Sequence, residues 1–138
     1  TAMLIDFYSS EVVDVDVLLQ QGIAANAFLS DAGWTHQGLI NLTKQFGLNG
    51  ASVSMSHLTM EAAFAALETV VSQGPVMVSV HYTFQPTNPI PHLAVITGID
   101  DKRVYYNDPA EPQGGGDISI AQFKSAWKKR YIEIRPVL

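Results

Sequence analysis

The dominant hydrophobic period of this chain changes at Gly74-Pro75, and that switch constrains the fold more than any other feature. Before it, apolar residues recur at the three- and four-residue spacing of one helix face; after it they alternate or run continuously, as strands do. "TMEAAFAALETVVSQG" is the strongest helix, with Thr59 as N-cap, Glu61 in the first turn and Gly74 as stop. Ala63, Phe64, Leu67, Val70 and Val71 form its core-facing stripe. "THQGLINLTKQFG" predicts a second helix, capped by Thr35 and closed by Gly47 at C′. "TAMLIDFY" reads as the C-terminal part of a helix that breaks at Ser9-Ser10. "VDVDVLLQQG" fits either a short helix capped by Asp14 or Asp16 and ending at Gly22, or a strand built on Val13, Val15 and Val17. Residues 24–34 read as a loop with a helical turn, and "LNGASVSM" as a short strand.

Beyond Pro75, "PVMVSVHYTF", "HLAVITGI" and "RVYYND" predict strands. A proline-rich loop, "QPTNPIP", separates the first two, and an acidic turn at Asp100–Lys102 joins the last two. "AEPQGGGD" reads as a mobile loop, Ser119 caps a helix over "IAQFKSAWKK", and "RYIEIRPVL" closes the chain as a strand. Helices first and antiparallel strands after give an α+β fold, with N-terminal helices packed on a C-terminal antiparallel sheet. Without repeats or a linker, the 138 residues read as a single domain, 1–138.

Composition excludes several function classes. With 47% apolar and 15% charged residues the sequence is that of a globular protein, not a disordered one. Its net charge is −5, and Lys128-Lys129-Arg130 is too small a basic cluster to bind nucleic acid. No run approaches the roughly 20 apolar residues of a membrane span. The absence of cysteine excludes disulfides and thiolate metal sites. No histidine pair stands at i, i+4 and no carboxylate–histidine motif occurs, so neither metal nor cofactor is expected. Gly114–Gly116 lacks the strand–loop–helix context and the Lys-Ser/Thr of a phosphate cradle.

The candidate chemistry lies in "PHLAVITGIDDKRVYYNDP". With an odd loop of Asp100, Asp101 and Lys102, opposed residues sum to 202: Gly98 faces Val104, Ile96 faces Tyr106 and Ala94 faces Asp108. His92 then lies diagonal to Asp108 on the same face, their Cβ atoms about 7 Å apart. An even loop would separate them onto opposite faces. A carboxylate bonded to one ring nitrogen fixes the tautomer and leaves the other nitrogen to act as a base. On spacing alone the plainer reading weighs more: an end-of-strand histidine, and Asp108 as the Asx terminator of "NDP". His36 in a first helical turn, His57 before a helix and His81 in a strand carry no comparable signal, and Trp34 and Trp127 read as core or cleft-wall aromatics.

Taken in order, these segments resemble the papain-like bacterial peptidases related to the double-glycine bacteriocin-leader peptidases. Ala2, Met3, Leu4, Ile5, Phe7 and Tyr8 match the run that follows the family's Cys-Gly-Pro nucleophile motif. Gly33, Leu39, Phe46 and Gly47 match its next helix, and "GPVMVSV" the strand preceding its histidine. The His92–Pro109 block resembles the signature H-x-V-V-V-x-G…V-y-v-n-D-P, and "ISIAQFKSAW" the closing helix with Phe123 and Trp127. The resemblance implies a papain-like fold with His92 as general base, Asp108 orienting it, and hydrolysis of a peptide or small amide through a thioester. It also implies a bacterial source, with a secreted or cell-surface setting favoured over the cytoplasm, though localisation and oligomeric state stay open. The family's nucleophilic cysteine, and the glutamine that usually precedes it, have no counterpart here. Either the nucleophile stands just upstream of Thr1, or the protein is a non-catalytic peptide-binding module that keeps the fold. The first is favoured because Thr1 falls within a helical run. The chain as it stands is expected to be inactive alone.

Overall fold

A computed structural model describes all residues except 10, 11, 30–32, 89, 112 and 138. Ser10, part of the loop expected over 24–34, and positions 89, 112 and 138 of the expected C-terminal segments lie outside the described residues. The rest form two compact units, Thr1–Ser52 with Ile132–Leu138, and Val53–Tyr131.

In the first unit, helix α1 (Ala2–Tyr8) buries Leu4 and Ile5. Helix α2 (Val15–Ala24) settles the ambiguity left by its alternating valines, because Asp14 caps it by accepting from the backbone N–H of Asp16 and Val17 at 3.0 and 3.2 Å. The two orphan donors that this carboxylate satisfies exist only in the helical alternative. The helix continues past Gly22, whose missing side chain lets Trp34 and Leu42 pack on it. A two-residue hairpin, β1 (Phe28–Leu29) with β2 (Gly33–Trp34), replaces part of the expected loop. Helix α3 (His36–Thr43) starts at the Thr35 cap, whose hydroxyl accepts from Gly38 N–H at 3.1 Å. A single 3-10 turn then ends at Gly47, in the left-handed region at φ +73, before strand β3 (Leu48–Ser54) begins.

The second unit positions the site. Helix α4 (Met60–Val71) is capped by Thr59, which accepts from Ala62 N–H at 3.2 Å. Strands β4 (Val76–His81), β5 (Pro91–Ile99), β6 (Arg103–Asn107) and β7 (Gly115–Ser119) follow, neighbours in that order and antiparallel throughout. Helix α5 (Ile120–Ala126) starts from its Ser119 cap and leads into β8 (Trp127–Pro136), which begins at Trp127, three residues before the strand start expected at Arg130. Val76, Val78 and Val80 of β4, Ala94 and Ile96 of β5, Val104 and Tyr106 of β6 and Ile118 of β7 share one core with Phe64, Leu67 and Phe123. Period-two alternation put these side chains on one face. From Ile132 onward β8 belongs to the first unit, where Gly50 lets the Glu133 carbonyl approach so closely that a Cβ would stand 2.1 Å from it.

Three further expectations change. The strand expected to run through Phe84 stops at His81, and Tyr82–Phe84 turns away with Thr83 and Phe84 at φ 58 and 56. The segment expected as a loop through Asp117 ends at Gly114: Gly115 and Gly116 begin β7 and pair with Asn107 and Tyr106. A side chain would be crowded there, because a Cβ on Gly115 would stand 2.4 Å from Asn107 Oδ1 and one on Gly116 3.1 Å from the Tyr106 hydroxyl. The β5–β6 turn is even, not odd, and its consequence belongs to the site.

Candidate active site

Two opposing departures from ideal pairing bring His92 and Asp108 to one face. Ile99 pairs with Val104, leaving the four residues 100–103 as the turn, closed by Asp100 N–H donating to the Arg103 carbonyl at 3.1 Å. The Asp100 carboxylate accepts from Lys102 and Arg103 N–H at 2.8 and 2.7 Å, and from the Tyr105 hydroxyl at 2.6 Å. That hydroxyl bond, ahead of the two backbone bonds, holds the Asp100 carboxyl below its ordinary range. These local bonds favour four residues over three. With Gly98 opposite Tyr105, the pairing sum near the turn is 203, and an uninterrupted ladder would place His92 and Asp108 on opposite faces. A bulge between Ile96 and Gly98 adds Thr97 to β5 and shifts the register by one. Ile96 then faces Tyr106 and Val95 faces Asn107, sums of 202. His92 and Asp108 thus share the expected face, but through an even turn and a bulge in place of the expected odd loop. The glycine after Thr97 was the available signal, since glycine inside a strand often marks a bulge.

On this register His92 lies opposite Val80, and its Nε2–H donates to Asp108 Oδ1 at 2.6 Å. The side chains are 17% and 2% exposed, so the acid is sealed and the imidazole open at one edge. The same Oδ1 accepts from Ala110 N–H at 2.9 Å. This is the Asx turn of "NDP", so the two sequence readings of Asp108 are not alternatives: one oxygen closes the turn and orients the ring. The Asp108 backbone is also tied, its N–H donating to the Gly114 carbonyl at 2.6 Å and its carbonyl accepting from Glu111 N–H at 3.1 Å. Because a carboxylate only accepts, the proton of the neutral ring sits on Nε2 and the free lone pair on Nδ1. Among the described residues, no group hydrogen-bonds Nδ1.

The surroundings are apolar and aromatic. The Tyr82 ring meets the His92 ring edge-on, centroids 4.9 Å apart and planes at 81°. Tyr106, on the face shared with Asp108, donates its hydroxyl to Glu111 Oε1 at 2.8 Å. Burial first, and then the Glu111 bond, push its phenol up to about 12. Neither Tyr82 nor the Ala110 amide was singled out from sequence; the spacing of Asp108 and Ala110 is that of an Asx turn and was the available signal for the second. His81 Nδ1–H donates to the Asn88 carbonyl at 2.9 Å, binding a loop. His36 lies 2.9 Å from the Ser52 hydroxyl, and His57 is exposed. Trp127 is buried, its Nε1–H bonded to the Arg130 carbonyl at 3.0 Å. Among the described residues, no three histidines or carboxylates cluster as a metal site, and no helix is long and apolar enough to cross a membrane.

The fold is that of known peptidase domains. The peptidase domain of Streptococcus ComA, a bi-functional ABC transporter involved in a quorum-sensing pathway, matches with a TM-score of 0.63 at 18% identity, over 93% of this chain and 82% of that one. A double-glycine-motif protease from an AMS/PCAT transporter, solved with its leader peptide, matches with a TM-score of 0.58 at 18% identity, over 85% and 71% of the two chains. The Streptococcus mutans ComA peptidase domain matches with a TM-score of 0.53 at 20% identity, over 76% and 77%. These likenesses establish the papain-like α+β fold. No curated protein matches the sequence. A family model described as "Peptidase_C39 like family" matches residues 1–137. The chain belongs to the Peptidase C39-like family.

Proposed function

We propose that this protein is the histidine–aspartate part of a thiol-dependent peptide or amide hydrolase, with His92 as general base and acid and Asp108 holding its ring. The observation that carries this reading is the 2.6 Å bond from His92 Nε2–H to a sealed carboxylate, which leaves Nδ1 facing no partner among the described residues. In the complete protein the nucleophile is a cysteine upstream of Thr1, a reading supported by the likeness of Ala2–Tyr8 to the helix that follows the nucleophile in these peptidases. The cysteine thiol gives its proton to Nδ1, and the thiolate attacks the substrate carbonyl. The C–N bond breaks as the imidazolium returns that proton to the departing amine. Water, deprotonated at Nδ1, then attacks the thioester, releasing the acid and regenerating the thiol. Asp108 keeps Nδ1 unprotonated in the resting ring and balances the imidazolium between the two transfers.

A peptide substrate is supported by the relative solved with its leader peptide. The absence of cysteine favours a second reading, a peptide-binding protein without chemistry. The codons upstream of Thr1 decide between them. A cysteine there, with peptide hydrolysis by the complete protein that alkylation abolishes and His92→Ala removes, supports the enzyme. A different residue at that position, or hydrolysis that survives His92→Ala, overturns it.

A further inference from the structure

Two consecutive non-glycine residues in the left-handed region are costly, about 1–2 kcal/mol each, and such strain persists only where surrounding contacts over-determine it. Thr83 and Phe84 form such a pair, immediately after β4 and beside the histidine. Phe84 is locked, 2% exposed with its ring 4.7 Å from that of Tyr106. The loop that follows is fastened to its base by His81 Nδ1–H on the Asn88 carbonyl at 2.9 Å and by Tyr82 N–H on the Ile90 carbonyl at 3.0 Å. Tyr82 continues the pairing of β4 with β5 by one residue, opposite Ile90, which puts its side chain diagonal to His92 on the same face. The turn ends the strand directly after it, and the Tyr82 ring stands perpendicular to the imidazole at 4.9 Å.

We infer that Tyr82 is a positioning residue for His92, its ring held by the Thr83–Phe84 turn as a wall that stops the imidazole from swinging about its bond to Asp108. One hydrogen bond at Nε2 fixes a point on the ring and leaves rotation about the side-chain torsion soft. An edge-to-face aromatic contact with the Tyr82 ring restricts that freedom. Nδ1 is thereby aimed at one place, and small errors in that aim are expensive in rate. The inference rests on His92 being the base, and its test separates the two ideas.

The first measurement needs no catalysis. In the 138-residue chain, imidazole nitrogen spectra of His92 report the tautomer and the exchange of Nε2–H with water. Tyr82→Ala is expected to speed that exchange about tenfold and to mix the tautomers, while Tyr82→Phe, which keeps the ring, preserves both signatures. Should Tyr82→Ala unfold, Tyr82→Leu carries the same comparison, keeping apolar volume without a ring. Unchanged exchange and tautomer in Tyr82→Ala or Tyr82→Leu overturns the inference. In the complete protein with its nucleophile, kcat is expected to fall about tenfold in Tyr82→Ala with KM unchanged and to recover in Tyr82→Phe. A change in KM with kcat intact also overturns it. If the imidazole signatures respond as expected while both Tyr82→Ala and Asp108→Ala keep full kcat, the positioning stands and the catalytic role of His92 fails.

Discussion

Replacing Asp108 by asparagine or by alanine separates what its shape does from what its charge does. Its Oδ1 accepts two bonds, from His92 Nε2–H at 2.6 Å and from Ala110 N–H at 2.9 Å. In Asp108→Asn, the Ala110 donor can be satisfied only if the amide oxygen, not the NH2, takes the Oδ1 position. That orientation is the one that still accepts from Nε2–H, so the tautomer should survive. The lost charge weakens the histidine bond by about 1 kcal/mol, and relief of the buried carboxylate's desolvation offsets part of this. The net cost should be within about 1 kcal/mol. In Asp108→Ala both acceptors vanish: the charge-assisted bond is worth about 1.5–3 kcal/mol and the backbone bond about 1. Water can replace the acceptor for Ala110, which is exposed, so the expected loss is about 2–3 kcal/mol. Urea unfolding gives the energies, and imidazole nitrogen spectra give the tautomer. A proton found on Nδ1 in Asp108→Asn, or equal destabilisation by the two variants, would refute the claim that the Asx turn orients the acid.

The other predictions concern packing and titration within each unit. Gly50→Ala forces a Cβ to within 2.1 Å of the Glu133 carbonyl oxygen, a backbone atom that cannot swing aside, and should cost about 2–4 kcal/mol by urea unfolding. Phe123→Ala removes a fully buried ring packed 5.5 Å from Trp127 and 6.0 Å from Phe64, for an expected loss of about 3–5 kcal/mol in the same assay. Tyr106, raised from 10.0 to about 12, contributes stability that is complete below pH 10 and disappears as pH climbs toward 12. Ultraviolet titration should therefore show one phenol ionising late. Unfolding free energy should fall through that window in the wild type and lose this component in Tyr106→Phe; an identical pH profile in the variant would exclude it.

Much of the fold was legible because local physics and global packing agree. Thr35, Thr59 and Ser119 each accept, on the side-chain oxygen, from an orphan N–H at a helix start, a bond requiring no tertiary partner. Alternation from Val76 to Tyr106 marked the core face because a strand has two sides and here one side buries valines. Where the sequence misled, two local preferences competed and a distant contact chose. Gly115-Gly116 carries the composition of a loop, yet it pairs as strand with Tyr106 and Asn107, whose side chains crowd the place of a Cβ and suit glycine there. "HYTF" has strand propensity, yet it leaves the ladder after His81 because Phe84 reaches a buried place against Tyr106.

The candidate site divides the same way. The sequence by itself determined that His92 and Asp108 stand near the ends of adjacent strands, and that Asp108 begins an Asx turn, since both follow from spacing and from short-range hydrogen bonds. Tertiary structure decided whether they meet. The even turn at Asp100–Arg103 would have parted them, and the extra residue at Thr97 returns them to one face. Local bonding sets the length of the turn, but a bulge takes its place from the packing of both strands against the core, where Ile96 and Ile99 must each face inward. Tyr82 reaches the imidazole through the pairing of β4 with β5, which sets it opposite Ile90 and diagonal to His92, and only the tertiary register of those strands decides that.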